Sequence, residues 1–388
     1  MPTTTQQEVT LAGAILLYGD TRTHPNVHWR TGFTAPDPVI YVESGERRIL
    51  LVGGMELGRA QKQADVTEVL QFDTAAWRER LRKGSEFEAH AVTIAETLKE
   101  LGTDRVTVEP DFPVGLAVAL DEQDVVVEVK DDLFRAERRR KSAEEQEAVA
   151  RSQAAAVAAM TAARAVLHDA EAREGKLWYR DAPLTSDVVL AAIDAELLRH
   201  DCVAVEGTIV AGGPGAADPH VSNTGHLDAG VGVIVDIFPQ SRSTHYFGDI
   251  TRTYVVGEPT PAWLKQYEAV KSAQQVALSM LRAGVSSRAV HRAVCQTLYD
   301  AGYGTTVEGL RREGVAMMNH GTGHGLGLVI HEAPRINDFE GQLEEGDVVT
   351  IEPGLYSEKD GSVRIENTVV ITADGYRELT DIDVEWRP

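Results

Sequence analysis

Cysteine and positive charge are both scarce in this chain, and each shortage excludes a class of protein. Cys202 and Cys295 are its only cysteines, and they form no C-x-x-C pair. Both lie in apolar, helical-looking stretches, so we expect buried thiols in a reducing compartment. Lysine and arginine total 38 against 60 aspartates and glutamates, which gives a formal charge of −22. A chain this acidic is a poor partner for nucleic acid or for an anionic membrane.

Long apolar runs are absent too. The early run at residues 11–17 is far too short to cross a bilayer, and the amino terminus lacks the basic segment of a signal peptide. We therefore expect a cytoplasmic protein that neither spans nor binds a membrane. At about 150 residues per domain, the 388 residues predict two or three domains.

Several common catalytic signatures are missing. The chain has no G-x-x-x-x-G-K-[ST] loop, no G-x-G-x-x-G after a strand and no G-x-S-x-G elbow, and H-E-A-P-R at residues 331–335 breaks the H-E-x-x-H pattern. These absences argue against nucleotide binding, serine hydrolysis and a helix-borne zinc site.

Residues 1–137 are predicted to form an α/β domain. Strand candidates at residues 39–42, 49–52, 105–108 and 125–129 alternate with a helix at residues 86–101 that ends at Gly102. With no nucleotide motif, this domain is expected to act as a scaffold, a gate or a dimer-forming unit. The basic stretch 134–141 is interpreted as a solvated helix face or a linker, after which Ser142 and Glu145 form a capping box.

Residues 138–388 are predicted to form a second, α+β domain with a mainly antiparallel sheet and helices on one face. Helices are expected near residues 142–167, 186–200, 261–282 and 287–301, with strands between them. Residues 168–184 are polar and are interpreted as a loop-like insertion.

The chemistry of the chain centres on residues 318–334, which read M-N-H-G-T-G-H-G-L-G-L-V-I-H-E-A-P. The glycines at alternate positions suggest a backbone in unusual dihedrals close to a bound group. The histidines beside them suggest that this group is a metal or a reacting atom.

Four carboxylates in or at the ends of apolar strands strengthen the metal interpretation. They are Asp236, Asp249, Glu352 and Glu366. Burying a lone carboxylate is costly, so such groups pair with cations or bind metal. Together with a neutral His324 they carry a charge that two divalent cations would neutralise. Oxygen-rich ligation with one imidazole favours manganese, with cobalt, iron or zinc as alternatives, and does not suit copper.

These motifs resemble the pita-bread metallopeptidase family, which includes methionine aminopeptidase, aminopeptidase P and prolidase. The matching pieces are I209-V-A-G-G-P-G-A-A-D-P-H220, V235-D236, G248-D-I-T-R-T253, N319-H-G-T-G-H324-G-L-G-L, the H-E-A-P run, T350-I-E-P-G-L-Y356 and V363-R-I-E-N367. The resemblance covers residues 141–388 well. Residues 1–140 match the family's creatinase-like N-terminal domain only in size and general pattern.

The resemblance implies a role for each matching residue. Asp236 would chelate one metal, and Asp249 and Glu366 would bridge two. His324 and Glu352 would hold the second metal, and Glu352 would also shuttle a proton.

Three further residues would surround these ligands in the resembling family. His220 and His331 would contact the substrate and stabilise the tetrahedral intermediate. Arg364 would position Glu366 or another group of the site. His320 is left open as a residue that could line the site.

The proline-specific branch of the family fits best, because Pro219-His220, the H-E-A-P run and the added N-terminal domain are typical of it. The chain departs from that branch at one point. Asp236 and Asp249 are thirteen positions apart, where the branch usually has eleven. The resulting hairpin, residues 237–248, is expected to lie over the pocket and to add Phe238, His245 or Tyr246 to its wall.

The resemblance therefore implies a dimeric exopeptidase that hydrolyses the Xaa-Pro bond of dipeptides or short peptides through a hydroxide bridging two metals. Two alternatives stay open at this point. One is the same site acting on a non-peptide small molecule, as an amide or C–N hydrolase of the creatinase or ectoine hydrolase kind or as a lyase. The other is a binding protein that has kept the fold without activity.

Overall fold

A computed structural model describes residues 13–131 and 133–388, so the early apolar run at residues 11–17 lies partly outside the described residues. The chain divides into two compact units, one ending at Ala136 and one beginning at Glu137.

The first unit is a mixed six-stranded sheet with helices. Its strands and helices are β1 (Ala14–Gly19), α1 (Pro25–Thr31), β2 (Val39–Ser44), β3 (Arg47–Val52), α2 (Leu57–Gln63), β4 (Glu68–Gln71), α3 (Ala75–Lys83), α4 (Glu86–Leu101), β5 (Arg105–Val108), α5 (Val114–Asp121) and β6 (Val126–Val129). The strand order is β4-β3-β2-β1-β5-β6. A short helix α6 (Arg135–Arg139) follows along the chain.

Both faces of this sheet are apolar, which confirms the α/β prediction for the first unit. Leu16 packs in a core with Ile94 of α4. Its neighbour Leu17 points the other way, into a core with Val27 of α1. Helix α4 has the predicted bounds and ends at Gly102, whose φ of 73° is the left-handed conformation that glycine adopts readily.

The second unit contains the remaining elements. They are α7 (Ala143–His168), β7 (Glu171–Arg173), β8 (Lys176–Tyr179), β9 (Ala182–Pro183), α8 (Ser186–Arg199), β10 (Cys202–Val203), β11 (Thr208–Gly212), β12 (Val233–Ile237), β13 (Gln240–Ser241), β14 (Ile250–Tyr254), α9 (Pro261–Met280), α10 (Ser287–Asp300), β15 (Gly304–Thr305), β16 (Met317–Met318), β17 (Gly323–Gly325), β18 (Glu332–Ile336), β19 (Val348–Ile351), β20 (Gly354–Leu355), β21 (Val363–Arg364), β22 (Asn367–Ile371) and β23 (Tyr376–Glu378).

Two antiparallel sheets form the frame of this unit, each backed by a pair of helices. The first has the order β11-β12-β14 and packs on α7 and α8. The second has the order β18-β17-β19-β22-β23 and packs on α9 and α10. The predicted α+β domain is confirmed.

Strand alternation explains why polar residues line the faces opposite the helices. Val235 and Ile237 of β12 lie in the core beside α7 and α8. Asp236, between them, must point to the other face. The same alternation sends Ile250 and Tyr254 of β14 into the core.

Three details differ from the sequence expectations. Residues 168–184 form the small antiparallel sheet β7-β8-β9, because Leu177 is fully buried and ties this segment to the core. Cys202 lies in strand β10, whereas Cys295 lies in helix α10 as expected, and both thiols are buried and free. The strand expected at residues 363–371 is interrupted around Glu366.

The basic stretch 134–141 also differs from its interpretation as a solvated face. The side chain of Lys141 is only 1% exposed, and its ammonium lies 2.6 Å from Oε1 of Glu332. Arg139 forms an ion pair with Asp347, whose side chain is fully buried. Composition could not reveal this, because the acidic partners lie about 200 positions further along the chain. The capping box of Ser142 and Glu145 is confirmed at the start of α7.

Over residues 13–131 and 133–388, no helix combines the length and the apolar character needed to cross a bilayer.

Arg252 ties β14 to the carboxyl-terminal segment, so we predict that its loss destabilises the protein. Its guanidinium is buried and donates to the carbonyl oxygens of Thr251, Glu366, Ile382 and Asp383 at 2.5–2.9 Å. We expect Arg252→Met to lower the free energy of unfolding by about 3 kcal/mol, because a buried acceptor that loses its donor costs about 1–3 kcal/mol. Urea unfolding followed by tryptophan fluorescence measures the change.

Arg164 supplies the matched control for this prediction. It bonds to Asp383 and to the carbonyl of Arg387 but is 28% exposed. An exposed ion pair contributes about 0–1 kcal/mol, so Arg164→Met should change the stability by less than about 1 kcal/mol. Equal losses in the two variants would contradict the assignment.

Candidate metal centre

A cavity of about 840 Å³ lies in the second unit, and most of the sequence-predicted site residues line it. The lining residues that the sequence singled out are His220, Asp236, Phe238, Asp249, His320, His324, His331, Glu352, Arg364 and Glu366. The sequence-predicted site residues are therefore brought together in space, although they are spread over almost 150 positions of the chain.

Three of these residues form a compact group of metal-binding type. Donor atoms of Asp249, His324 and Glu366 all lie within 4.8 Å of one another. Asp249 directly precedes β14, His324 is the middle residue of β17, and Glu366 lies between β21 and β22. Each is therefore held on or beside a strand rather than on a mobile loop.

The hydrogen bonds of His324 orient its ring toward the carboxylates. Nδ1 lies 3.1 Å from the carbonyl oxygen of Gly325 and must carry the proton, because a carbonyl can only accept. Nε2 then presents a lone pair to Asp249 Oδ2 and Glu352 Oε1, each 3.6 Å away. Burial and the nearby His331 lower the pKa of His324 to about 3, so the ring is neutral. The lone pair and the two carboxylates thus face one another as three donors suited to a shared metal ion.

Asp236 and Arg364 form the second part of the site. Arg364 Nη2 donates to Asp236 Oδ2 at 2.6 Å. The other oxygen, Asp236 Oδ1, is buried and has no hydrogen-bond partner among the described residues. Arg364 Nε lies 3.3 Å from the hydroxyl of Thr251, which donates to Glu366 Oε2 at 2.7 Å. Arg364 thus contacts Asp236 directly and reaches Glu366 through Thr251.

The carboxylates repel one another in this buried setting. Burial and the neighbouring Glu366 and Asp236 hold the pKa of Asp249 well above its usual range. Burial and Glu352 do the same to Glu366. Burial also raises the pKa of Glu352 to about 8. Like charges held this close are what a bound cation would compensate.

These observations fit a pair of divalent metal ions. The unpaired oxygen of Asp236, the inward lone pair of His324 and the neighbouring carboxylates are all groups that can donate electron pairs to a metal ion. Oxygen donors with one imidazole suit hard or borderline divalent ions. The chain thus presents a candidate metal-binding group.

His331 and His220 lie beside this group. The rings of His331 and His324 meet edge to face, with centroids 4.4 Å apart. Burial, followed by the charge of Arg335, lowers the pKa of His331. His220 lines the cavity, and its backbone N–H donates to Asp218 Oδ1 at 3.0 Å.

Two residues that sequence reasoning did not assign complete the network around Arg364. The Tyr356 hydroxyl accepts from Arg364 Nη1 at 2.9 Å and lies 2.8 Å from His320 Nε2. His320 Nδ1 donates to the carbonyl of Gly321 at 2.7 Å, so Nε2 accepts the Tyr356 proton. Tyr356 ends the T-I-E-P-G-L-Y motif, and this was the signal that could have identified it.

Arg335 and Asn337 are further lining residues that the sequence did not single out. No described residue forms an ion pair or a side-chain hydrogen bond with the guanidinium of Arg335. Arg335 is only four positions after His331, and that spacing was its one sequence signal.

The 237–248 hairpin contributes less to the cavity than expected. Phe238 lines the cavity, but His245 and Tyr246 do not. Strand β13 of the hairpin pairs with β10, and the Tyr246 hydroxyl donates to Glu145 Oε1 at 2.6 Å. The hairpin is therefore held against α7 and contributes Phe238 to the cavity wall.

The alternating glycines have a different cause from the one expected. None of Gly321, Gly323, Gly325 and Gly327 has a positive φ. A Cβ at Gly323 would lie 1.9 Å from the carbonyl oxygen of Thr350, and one at Gly325 would lie 2.1 Å from that of Ala333. Close backbone packing around His324, rather than unusual dihedrals, requires glycine here.

The sequence has relatives among known proteins. Residues 147–373 match metallopeptidase family M24. The chain is 30% identical to an Xaa-Pro dipeptidase of Pyrococcus horikoshii over 366 residues, which are 93% of this chain and 92% of that protein. It is 38% identical to an Xaa-Pro dipeptidase of Pyrococcus furiosus over 180 residues, 46% of this chain and 48% of that protein.

Solved structures confirm the pita-bread fold. The prolidase from Pyrococcus horikoshii superposes with a TM-score of 0.76 at 28% identity, covering 96% of this chain and 95% of that one. An Xaa-Pro dipeptidase from Bacillus anthracis gives a TM-score of 0.80 over 96% of this chain and 94% of that one. At 24% identity this second likeness bears on the fold alone.

The raised carboxylate pKa values predict how the stability of the metal-free protein depends on pH. Because Asp249, Glu352 and Glu366 bind protons more tightly when folded, the stability that this contributes is lost as pH rises through their folded pKa values. Buried His320 and His324 have lowered pKa values, and their opposite contribution is complete above about pH 6.5. We therefore expect the unfolding temperature of chelator-treated protein to fall between about pH 6.5 and 8.

Calorimetry on chelator-treated and metal-reloaded protein checks this prediction. Metal should restore the unfolding temperature at pH 8 more than at pH 6.5, and Glu352→Gln should flatten the decline in the chelated protein. An unfolding temperature that rises with pH over this range in chelated wild type would contradict the prediction.

Proposed function

This chain belongs to metallopeptidase family M24, and from that premise we propose that it hydrolyses the Xaa-Pro bond of dipeptides or short peptides. The observation that carries the proposal is the group of Asp249, His324 and Glu366, with Asp236 and Glu352 beside it in one cavity. Relatives named Xaa-Pro dipeptidase and prolidase support the substrate class.

We propose that five residues hold two divalent ions: Asp236, Asp249, His324, Glu352 and Glu366. Manganese is the ion we favour, with cobalt, iron or zinc as alternatives, since four of the five donors are carboxylates. A pair of such ions supplies Lewis-acid polarisation of the scissile carbonyl and lowers the pKa of water.

The chain's own residues then handle protons and charge. Glu352 Oε1, which faces His324 Nε2 at 3.6 Å, is placed to take a proton from the attacking water and to pass it to the leaving proline nitrogen. Burial, with a contribution from Asp236, raises the pKa of Glu352 to about 8. Bound cations would lower this pKa, so that the carboxylate is ionised and can accept a proton.

His331, His220 and Arg364 stabilise and order the reacting groups. The neutral ring of His331 can donate an N–H to the oxygen that becomes negative when the carbonyl is attacked, and His220 can do so from the cavity wall. Arg364 fixes Asp236 by direct hydrogen bonding and Glu366 through Thr251, so both carboxylates keep one orientation through the reaction.

Arg335 favours a dipeptide as the substrate. Its guanidinium lines the cavity without a partner among the described residues. A dipeptide carries a carboxylate one residue from the scissile bond, and guanidinium binds carboxylates with two parallel hydrogen bonds. A longer peptide has a neutral amide at that place and would leave the guanidinium unpaired.

We also propose the remaining properties that the family resemblance implies. Residues 1–137 and 138–388 form an N-terminal and a catalytic domain, and the division of the structure after Ala136 supports this. The chain works as a cytoplasmic homodimer, and it takes proline-containing peptides rather than nucleic acid or membrane as partners, in keeping with its charge of −22.

Hydrolysis of an Xaa-Pro dipeptide and of an Xaa-Pro-Xaa tripeptide tests the proposed function. We expect cleavage with added Mn²⁺, none with chelator, and a loss of at least about 10³-fold in kcat for Asp249→Ala, because a metal ligand contributes several kcal/mol. Release of free proline measures the rate. If neither peptide is cleaved while two metals are bound per chain, the peptidase assignment is wrong and small amides become the substrates to screen.

Arg335→Gln tests the dipeptide assignment. We expect the KM for an Xaa-Pro dipeptide to rise by about 10–100-fold, because a hydrogen bond to a charged group contributes about 1.5–3 kcal/mol. The KM for the matching Xaa-Pro amide, which lacks the carboxylate, should change by less than about threefold. Steady-state kinetics on the two substrates give the comparison, and Arg335→Lys should recover part of the loss. Equal increases for acid and amide would contradict a carboxylate-binding role.

A further inference from the structure

Glu332, the residue directly after His331, is held by two cations from the segment that precedes α7. Lys141 Nζ lies 2.6 Å from Oε1 of Glu332, and Arg138 Nη2 forms an ion pair with Oε2. The exposed fractions of the three side chains are 1% for Lys141, 12% for Glu332 and 13% for Arg138. Both oxygens of the carboxylate are thus engaged inside the protein.

An ion cluster of this kind is a poor device for stability alone. Removing charges from water costs free energy that their mutual attraction offsets only in part, and apolar side chains of similar volume are often equally stable. A buried cluster does fix geometry, because each charged group must keep its partner. Its value here is therefore best sought in what it holds in place.

The cluster holds the segment from residue 326 to residue 332, which we call the histidine loop. Gly327 of this loop has no room for a side chain, since a Cβ there would lie 2.0 Å from Oε1 of Glu332 and 3.1 Å from Cε of Lys141. The loop therefore turns directly against the ion pair. The loop is also held by the N–H of Phe247, which donates to the carbonyl of Gly327 at 2.8 Å.

His331 depends on this backbone for its position. No described residue makes a hydrogen bond to its ring, which contacts His324 edge to face. His331 lies in a bend, and the next residue, Glu332, begins β18. Fixing the Glu332 side chain therefore fixes the start of β18 and the backbone that carries His331, whose side chain lines the cavity. Glu332 also pairs in the sheet with Gly325, next to His324.

We propose that Lys141 and Arg138, acting through Glu332, are positioning residues that hold His331 against the metal-binding group. The role in catalysis rests on the proposed function. The basic stretch before α7 is then part of the catalytic apparatus, although none of its side chains lines the cavity.

Arg139 provides a matched control from the same stretch. It is 18% exposed and is paired with Asp347, whose side chain is fully buried. It also donates to the carbonyl of Gln342. Its partners therefore lie outside the histidine loop. Arg139→Met removes a cation that is about as buried as Arg138 from the same segment, without touching Glu332.

Kinetics of Lys141→Met and Glu332→Gln test the proposal. We expect kcat for an Xaa-Pro dipeptide to fall by about 10–100-fold, as misplacing a group of the site by about 1 Å can cost 100-fold. KM should change by less than about threefold and bound metal should not change. Arg139→Met should keep kcat within about twofold even where it lowers the unfolding temperature as much as Lys141→Met does.

A double-mutant cycle decides whether the effect passes through His331. In a His331→Ala background, Glu332→Gln should lower kcat by less than about twofold, because the residue that it positions is gone. If the losses in kcat from Glu332→Gln and His331→Ala multiply in the double mutant, the proposal is overturned. It is also overturned if kcat of Lys141→Met and of Glu332→Gln is no lower than that of Arg139→Met.

Hydrogen exchange separates failure of this proposal from failure of the proposed function. Amides of residues 326–332 should exchange at least about tenfold faster in Lys141→Met and Glu332→Gln than in wild type, and at the wild-type rate in Arg139→Met. If wild type cleaves no peptide, the proposed function is wrong, and the exchange rates still test whether Lys141 and Glu332 hold the histidine loop in place. Unchanged exchange in both variants would overturn the proposal. If Lys141→Met does not fold, Glu332→Gln alone is compared with wild type and with Arg139→Met.

Discussion

The second unit is organised around the cost of burying several carboxylates beside one neutral imidazole. Burial, together with the charges of neighbouring carboxylates, raises the pKa values of Asp249, Glu352 and Glu366. Asp236 keeps one buried oxygen without a partner among the described residues. No arrangement of apolar neighbours can relieve this repulsion. Divalent cations can, and membership of a metallopeptidase family supplies the same answer from an independent direction. In this account, bound divalent cations offset the repulsion among the carboxylates.

The fold gives two of these carboxylates, Asp236 and Glu366, a fixed hydrogen-bond donor. Strand alternation turns Asp236 away from the core that its neighbours Val235 and Ile237 share with α7 and α8. Arg364 and Thr251 then orient Asp236 and Glu366, while Arg252 holds the backbone of Glu366 from the opposite side of β14. The packing of one sheet against its helices is thereby linked to the geometry of a site on its other face.

Sequence reasoning found the residues whose chemistry is unusual for their place in the chain. A carboxylate inside an apolar strand, such as Asp236, or a histidine between glycines, such as His324, is conspicuous without coordinates. Residues with ordinary side chains were missed because their importance comes from distant partners. Lys141 looked like part of a solvated basic stretch, yet its partner Glu332 lies 191 positions away. The 237–248 hairpin was placed over the cavity because its length was visible in the sequence but its pairing with β10 was not.

The measurement that bears most directly on this account is anomalous diffraction from crystals grown with Mn²⁺, collected at the manganese absorption edge. The account predicts two peaks at the group formed by Asp249, His324 and Glu366. Crystals of Asp249→Asn should show neither peak. The account would be contradicted if wild-type crystals showed no anomalous peak at this site. It would also be contradicted if cationic side chains of the protein alone neutralised the four carboxylates.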